Sequence, residues 1–431
     1  MVASAGRGDS PAARTESQGS APRLLLGRCG VVDPASIDDY EAHGGFEALR
    51  RAVEMGPERV IEELNLSGLA GRGGAGFPTG RKWAAVRAAP GAPKYVILNA
   101  DESEPGTFSN RKLLEEDPFS SVEAMAIAGL TVGSARGYAY IRGEYTLSAR
   151  RLAAAVEAAR ARGYLGPDVL GTGQPFDIEI RRGGGAYICG EETSLFNSME
   201  GLRGEPRSKP PFPVNVGVFR KPTVINNVET MVNALPILTM GGQAFARIGV
   251  PDFKGTKLFC LSGHVAHPDV YEAPGGTTLR RLIELAGGVP GGRSLQAVLM
   301  GGAAGVFVPP EHLDTPLIPR VLQPLGLAIG AGAVIVFDET VDMWEVTRLV
   351  AEFFAEESCG QCVPCRVGTK RQVEILHRFT LGHGRPGDVE LLEELGQAMT
   401  DASICGLGQT AAWAVLSALK VFPPPSGEAS A

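Results

Sequence analysis

The sequence has no run approaching the ~18 uncharged apolar residues of a membrane-spanning helix, so no span is expected. It has no surplus of positive charge: 41 Lys and Arg stand against 48 Asp and Glu, a formal net charge of −7. That balance disfavours a strongly basic nucleic-acid binder, although not a local basic patch. Cysteine is scarce and odd in number: seven residues, Cys29, Cys189, Cys260, Cys359, Cys362, Cys365 and Cys405. With three of them crowded together, they make a poor disulfide framework. A signal-peptide apolar core is also missing, the only early apolar run being Leu24–Leu26. A reducing cytoplasmic setting is therefore expected, with cysteines used for metal or redox chemistry.

Glycine, by contrast, is abundant. Its 57 residues in 431 are about 13%, near twice the usual ~7%. Many backbone positions must need positive φ or close approach to something. An apolar fraction of 44% with 21% charged residues fits an ordinary soluble globular chain and excludes wholesale disorder. At roughly 100–200 residues per domain, two to four domains are expected.

Residues 1–22 read as a flexible tail, rich in Ala, Ser, Gly and Arg. Residues 23–250 alternate helical and strand patterns, which implies an α/β domain with ligands held at strand ends. Helix is expected over 44–66 with a break near Gly56-Pro57, over 122–130 and over 148–161. Strands are expected at 95–98, 138–145 and 176–180. Residues 251–340 carry short strands and one helix near 278–286, a compact α+β module. Residues 341–425 read as a helical bundle, with helices near 342–356, 366–380, 387–399 and 409–420.

Cys359-Gly-Gln-Cys362-Val-Pro-Cys365 is C-x2-C-x2-C, and Cys405 follows 40 positions later. Three thiolates on one tight loop and a remote fourth suit a [4Fe–4S] cluster. Structural zinc usually takes two separated C-x2-C pairs, and a thioredoxin-type C-x-x-C needs no third or fourth cysteine. Cys29, Cys189 and Cys260 fit the reading of small buried hydrophobes. A helix starting near Arg366 would point backbone N–H groups at an anionic cluster.

Gly71-Arg-Gly-Gly-Ala-Gly76-Phe-Pro-Thr-Gly80-Arg-Lys82-Trp83 is the densest glycine run. Such a loop lets N–H groups approach phosphate, with Arg72 and Lys82 adding charge. It follows a helical pattern rather than a strand and lacks a Gly-Lys-Ser/Thr ending, so it is neither a Rossmann fingerprint nor a Walker loop. Asn99-Ala-Asp101-Glu102-Ser103-Glu104 places three carboxylates where a strand ends. It is either a solvated acidic turn or a site for ribose or ribityl hydroxyls and a flavin edge. Gly183–Thr193 is a second glycine loop running into a helix. In Thr223–Thr230, Asn226 and Asn227 could hydrogen-bond a heterocycle. A plain turn explains either segment equally well. The six histidines, His43, His264, His267, His312, His377 and His383, sit outside all of these motifs.

Six blocks in order, GRGGAGFPTGRKW, NADESEPGTF, GAYICGEET, KPPFP, PTVINNVET and ESCGQCVPCR, resemble the NADH-binding flavoprotein subunit of respiratory NADH:quinone oxidoreductase. The same module occurs in soluble NAD-linked hydrogenases and formate dehydrogenases. The resemblance covers essentially 24–420. It implies an α/β flavin and NAD domain, a β-grasp-like α+β domain and a helical bundle carrying one [4Fe–4S] cluster. It implies FMN, NAD(H) and that cluster as cofactors, with hydride transfer between NADH and FMN and no acid–base catalyst. By resemblance, Gly71, Arg72, Gly73, Gly74, Gly76, Lys82, Asn99, Asp101, Glu102, Ser103, Tyr187, Gly190, Glu191, Asn226 and Asn227 form the FMN site, with Glu102 and Glu191 near the flavin. Phe77, Glu104, Glu192, Lys209 and Phe212 match NAD positions. Cys359, Cys362, Cys365 and Cys405 match the cluster ligands.

The implied partners are a [2Fe–2S] thioredoxin-like subunit and a further iron–sulfur subunit. Any tie to the cytoplasmic face of the inner membrane would run through them. Two departures stand out. Ala85 replaces a larger apolar residue beside the adenine. Gln361, Val363 and the CGLGQ stretch look more like the soluble hydrogenase and formate dehydrogenase branch.

Overall fold

The computed structural model describes residues 23–423; the expected tail 1–22, and Pro424 and Pro425 at the end of the helical module, lie outside them. Four strands form a wholly parallel sheet: β1 (Tyr95–Ala100), β2 (Arg136–Ile141), β3 (Asp177–Arg182) and β4 (Thr223–Asn227). β1 reads YVILNA and is buried along most of its length, as a central parallel strand covered on both faces should be. The helix Pro118–Val132 covers one face. It is apolar nearly all round, starts on a proline whose missing N–H costs nothing there, and ends at Gly133 in the left-handed region. The expected break near Gly56-Pro57 separates the helices Glu47–Met55 and Pro57–Ser67.

The strand order is β3-β2-β1-β4. The chain winds outward from β1 through β2 and β3, then returns to place β4 on the other flank of β1. The order therefore reverses between β1 and β4, and such a switch point opens a crevice at the carboxyl ends of its strands. In register, Leu98 stands beside Asn226 and Asn99 beside Asn227.

The second sheet contains β5 (Thr256–Gly263), β6 (Asp269–Pro274), β7 (Leu295–Met300), β8 (Val306–Val308) and β9 (Ala333–Asp338), in the order β8-β7-β9-β5-β6. Only β9 and β5 run parallel. The helix Leu279–Leu285 packs on this sheet over a core of its own that includes Phe259, Leu282 and Val334. The C-terminal helices are Met343–Glu357, Val363–Thr380, Asp388–Ala402, Gly406–Thr410 and Trp413–Val421. They share one continuous core with both sheets, in which Ile97, Leu195, Phe307, Phe354 and Leu376 are all buried.

Three sequence expectations change. The strand expected to reach Tyr145 stops at Ile141, because Arg142–Tyr145 turns into the next helix. The helix expected near Arg366 starts at Val363, so Cys365 lies inside its first turn. The single helix over 409–420 is two, separated at Ala411 and Ala412.

Candidate flavin, nucleotide and iron–sulfur site

The crevice at the switch point gathers the motifs. Asn99 is the next-to-last residue of β1; its Nδ2 donates to Gly190 O (2.9 Å) and its Oδ1 accepts from Asp101 N (3.1 Å). Asp101 is 1% exposed. Its Oδ2 accepts from Ser103 Oγ at 2.8 Å, while Oδ1 has no protein partner. Burial carries the Asp101 pKa up to about 7 against the opposing pull of Ser103 and Arg142. A buried carboxyl group with one oxygen unpaired is costly, and a ligand hydroxyl placed there would satisfy it.

Glu102 has a different task. Its carboxylate accepts from Asn110 N (2.7 Å), Asn110 Nδ2 (2.8 Å), Arg111 N (2.8 Å), Ser109 Oγ (3.2 Å) and Tyr145 OH (3.1 Å). It thus satisfies the open end of the helix Ser109–Glu116 rather than facing the crevice.

The glycine run closes on itself, with Gly71 N donating to Phe77 O (2.9 Å) and Thr79 N to Leu69 O (2.9 Å). The N–H groups of Gly73, Gly74 and Gly76 find no acceptor among the described residues, which leaves a nest of donors. Gly73 lies against Asn227: a Cβ at Gly73 would stand 3.1 Å from Asn227 Cβ. The expected positive contribution of Arg72 points elsewhere. Its guanidinium is buried, donates to Lys254 O (2.6 Å) and lies over the Phe253 ring at 4.6 Å. Lys82 stays near the crevice, donating to Ile225 O (3.0 Å) beside Glu192 (3.7 Å); burial lowers its pKa while Glu192 opposes the shift.

Asn226 accepts from Trp83 Nε1 at 2.9 Å, and Asn227 caps the helix Val228–Val232. The plain-turn reading of Thr223–Thr230 therefore gives way to a strand that runs directly into a helix. On the second loop, Glu191 caps the helix Glu192–Met199 through Thr193 N (2.8 Å) and Ser194 N (3.0 Å). Lys209 bridges Glu191 (2.9 Å) and Glu192 (2.6 Å). Phe77 and Phe212 are 49% and 52% exposed, large apolar rings, with Lys82 Nζ over the Phe77 ring at 5.9 Å. Glu104 sits apart from the Glu192 group. It is half-buried, accepting from Tyr187 OH (2.6 Å) and Ala304 N (2.9 Å), and desolvation raises its pKa. The two carboxylates are therefore held by separate networks.

None of the four cluster-motif cysteines is in a disulfide. Cys362 caps Val363–Thr380 and Cys405 caps the short Gly406–Thr410 helix. Burial pushes the Cys365 thiol up to about 11, opposed by Ser358, whose hydroxyl lies 3.2 Å from its sulfur. Among the described residues, no three His, Cys, Asp or Glu side chains converge on a single ion. Four ligands that each take a different iron of a cube need no such convergence. Gly408 lets the two loops touch, because a Cβ there would stand 2.9 Å from Cys365 Cβ and closer still to Ser403.

Sequence reasoning missed the bridge between the two regions. Tyr187 N donates to Glu357 at 2.8 Å, two residues before Cys359, and its ring packs against Phe353 (5.1 Å) and Phe354 (6.2 Å). Arg203 donates to Cys359 O at 2.6 Å. Glu357 lies beside the cysteine motif but carries no spacing signal. Trp83 ends the first glycine-rich block, where nothing in the sequence pairs it with Asn226.

The fold and the site define a flavin- and iron–sulfur-binding oxidoreductase. Residues 64–235 match the Nuo51 FMN-binding domain, 258–301 the SLBB domain, and 345–428 the iron–sulfur binding region of NADH-ubiquinone oxidoreductase-F. The NADP-reducing hydrogenase subunit HndC of Solidesulfovibrio fructosivorans is 43% identical over 95% of this chain and 84% of its own length. The F 2 subunit of NADH-quinone oxidoreductase from Rhizobium meliloti is 44% identical over 93% and 95%. A solved NAD+-reducing [NiFe]-hydrogenase structure aligns with TM-score 0.82 and 35% identity over 93% of this chain and 66% of the matched hydrogenase chain. The chain belongs to the F-subunit family of NADH-quinone oxidoreductases. It is an NADH dehydrogenase flavoprotein with FMN and a [4Fe–4S] cluster.

Proposed function

We propose that the β1/β4 crevice holds FMN, that NADH docks over it against the Phe77, Lys82, Glu192, Lys209 and Phe212 side, and that Cys359, Cys362, Cys365 and Cys405 hold the cluster. The observation that carries the FMN assignment is the unpaired Asp101 oxygen just past the end of β1, together with the unpaired N–H groups of Gly73, Gly74 and Gly76 on the loop that packs against Asn227 at the end of β4. A phosphate and polyhydroxyl ligand supplies the acceptors and donors that these groups lack. When bound, FMN and the cluster supply the conversion of two-electron hydride chemistry into single-electron transfer.

The protein's part is positional. Asn99, Asp101 and Ser103 hold the ribityl and ring edge, Gly190 and Tyr187 close the pocket, and Asn226 and Asn227 flank the phosphate side. Gly71–Gly76 donates through its backbone, whereas Arg72, Glu102 and Glu191 shape these elements without offering free side-chain groups. Lys209, held between Glu191 and Glu192, offers positive charge on the nucleotide side. Glu104 and Tyr187 tie the pocket to Glu357 and hence to the cluster loop.

Electrons leave from the cluster-bearing helices to the redox subunits of a multi-subunit complex, a [2Fe–2S] thioredoxin-like subunit and a further iron–sulfur subunit. No helix among the described residues is long and apolar enough to cross a membrane. A cytoplasmic place, peripheral to the membrane through those partners, fits this reading. A second parent complex, a soluble NAD-linked hydrogenase or formate dehydrogenase, is favoured by the HndC likeness and by the hydrogenase-like residues around Cys362. The test is to release flavin from purified chain by denaturation and count it with iron and sulfide. One FMN with about four irons and four sulfides per chain supports the reading. Stoichiometric zinc without sulfide, or absence of flavin, contradicts it.

A further inference from the structure

We infer that Lys257, on strand β5 of the second sheet, is a positioning residue for the FMN phosphate, acting through the backbone of the glycine loop; this rests on the FMN assignment above. Lys257 is 2% exposed. Its Nζ donates to Arg72 O (3.0 Å) and Ala331 O (3.0 Å) and lies 3.5 Å from Glu229 Oε2. Three acceptors for three donors match an ammonium group. Gly332 leaves room for it, since a Cβ there would meet Lys257 Cε at 3.1 Å.

The Arg72 carbonyl and the Gly73 N–H belong to one trans peptide and point in opposite directions. By holding that carbonyl toward the second sheet, Lys257 turns the Gly73 N–H away from that sheet, where it has no protein acceptor. A cation on the carbonyl also polarises the peptide and strengthens its N–H as a donor. The loop is fixed on its other side by Arg72 N, which donates to Thr230 Oγ1 at 2.8 Å. Arg72, Lys257 and Glu229 are buried together behind the loop; burial lowers the pKa of both cations while Glu229 opposes the shift, and with all three ionised the group carries a net +1. In a low-dielectric setting that charge favours a phosphate dianion in front of the loop. Glu229 is held in turn by Leu258 N at 2.9 Å, which locks β5 to the helix after β4.

The experiment compares FMN with riboflavin, which lacks the phosphate, by fluorescence quenching on the full chain, for the wild type, Lys257→Met and Lys257→Gln. Lys257→Met should weaken FMN at least tenfold and leave riboflavin within about threefold; Lys257→Gln, which keeps donors but no charge, should fall between. Equal weakening of both ligands, or of neither, overturns the proposal. Should the variants fail to fold, 31P NMR of FMN bound to the wild type decides: the phosphate should stay dianionic well below its free pKa of ~6. Titration near that free value overturns the proposal. A wild type that binds neither ligand refutes the FMN assignment itself, a distinguishable result.

Discussion

Asp101→Asn perturbs the most unusual group in the crevice. In the ligand-free chain, burial carries the Asp101 pKa from 3.8 to about 7. A raised folded-state pKa contributes stability that is fully present below 3.8 and is lost as pH rises through about 7. At 1.36 kcal/mol per pH unit, the interval 7 − 3.8 corresponds to on the order of 4 kcal/mol, lost to the free chain above pH 7. The asparagine variant is spared that loss, so the ligand-free variant should be the more stable at pH 8. FMN reverses the ranking. If its hydroxyls donate to Oδ1, binding favours the ionised carboxylate, and wild-type affinity must fall by about tenfold per pH unit as pH drops below 7. The FMN phosphate titrates near ~6 and weakens both proteins alike, so the ratio of the two dissociation constants isolates Asp101. Flavin fluorescence titrations from pH 5.5 to 8.5 measure that ratio. The wild-type advantage should be greatest at pH 8, at about tenfold to a hundredfold for the charge-assisted hydrogen bonds lost, and should shrink steadily below pH 7. Parallel pH curves for the two proteins would refute the reasoning, as would an undiminished affinity of Asp101→Asn at pH 8.

Three further outcomes follow from the same geometry. Cys405→Ala should lose or degrade the cluster, read as iron and sulfide content, whereas Cys260→Ala should keep it, because Cys260 is buried beside Phe108 N at 3.2 Å, remote from the cysteine motif. NADH should be preferred over NADPH, and Glu192→Ala should narrow the ratio of kcat/KM values mainly by improving NADPH. Because Lys209 and Lys82 already sit beside Glu192, the change should be only about tenfold, ~1.4 kcal/mol; a wild type that uses both nucleotides equally would remove the basis for this assignment. Tyr187→Phe removes the hydroxyl that donates to half-buried Glu104 while keeping the ring against Phe353. It should cost about 1–3 kcal/mol in thermal or urea stability, and no loss would show that Glu104 is satisfied otherwise.

Much of the fold was legible because its signals are local. YVILNA announces a buried strand, Gly56-Pro57 a helix break, and C-x2-C-x2-C a ligand loop whatever surrounds it. What the sequence could not disclose depends on partners distant in the chain. Glu102 looks like one more carboxylate at a strand end, yet its oxygens serve the helix at 109–116. Arg72 looks like a phosphate clamp, but its guanidinium lies across the Phe253 ring in the second sheet. Glu104 and Glu192 look alike in sequence and sit in separate networks. Lys257 belongs to no motif, and only the folded arrangement brings it under the glycine loop, 185 positions away in sequence from the carbonyl it holds. The helix begins at Val363 rather than near Arg366 because proline is well tolerated in a first helical turn, and Pro364 falls there.

The central claim is that electrons enter from NADH at the β1/β4 crevice and leave from the cysteine loops to another protein. The direct test is to measure NADH:ferricyanide and NADH:quinone activity side by side on the purified chain loaded with FMN and its cluster. The account predicts ready ferricyanide reduction and little quinone reduction until partner subunits are added. Robust quinone reduction by the single chain, or no ferricyanide reduction by the fully loaded chain, would contradict it.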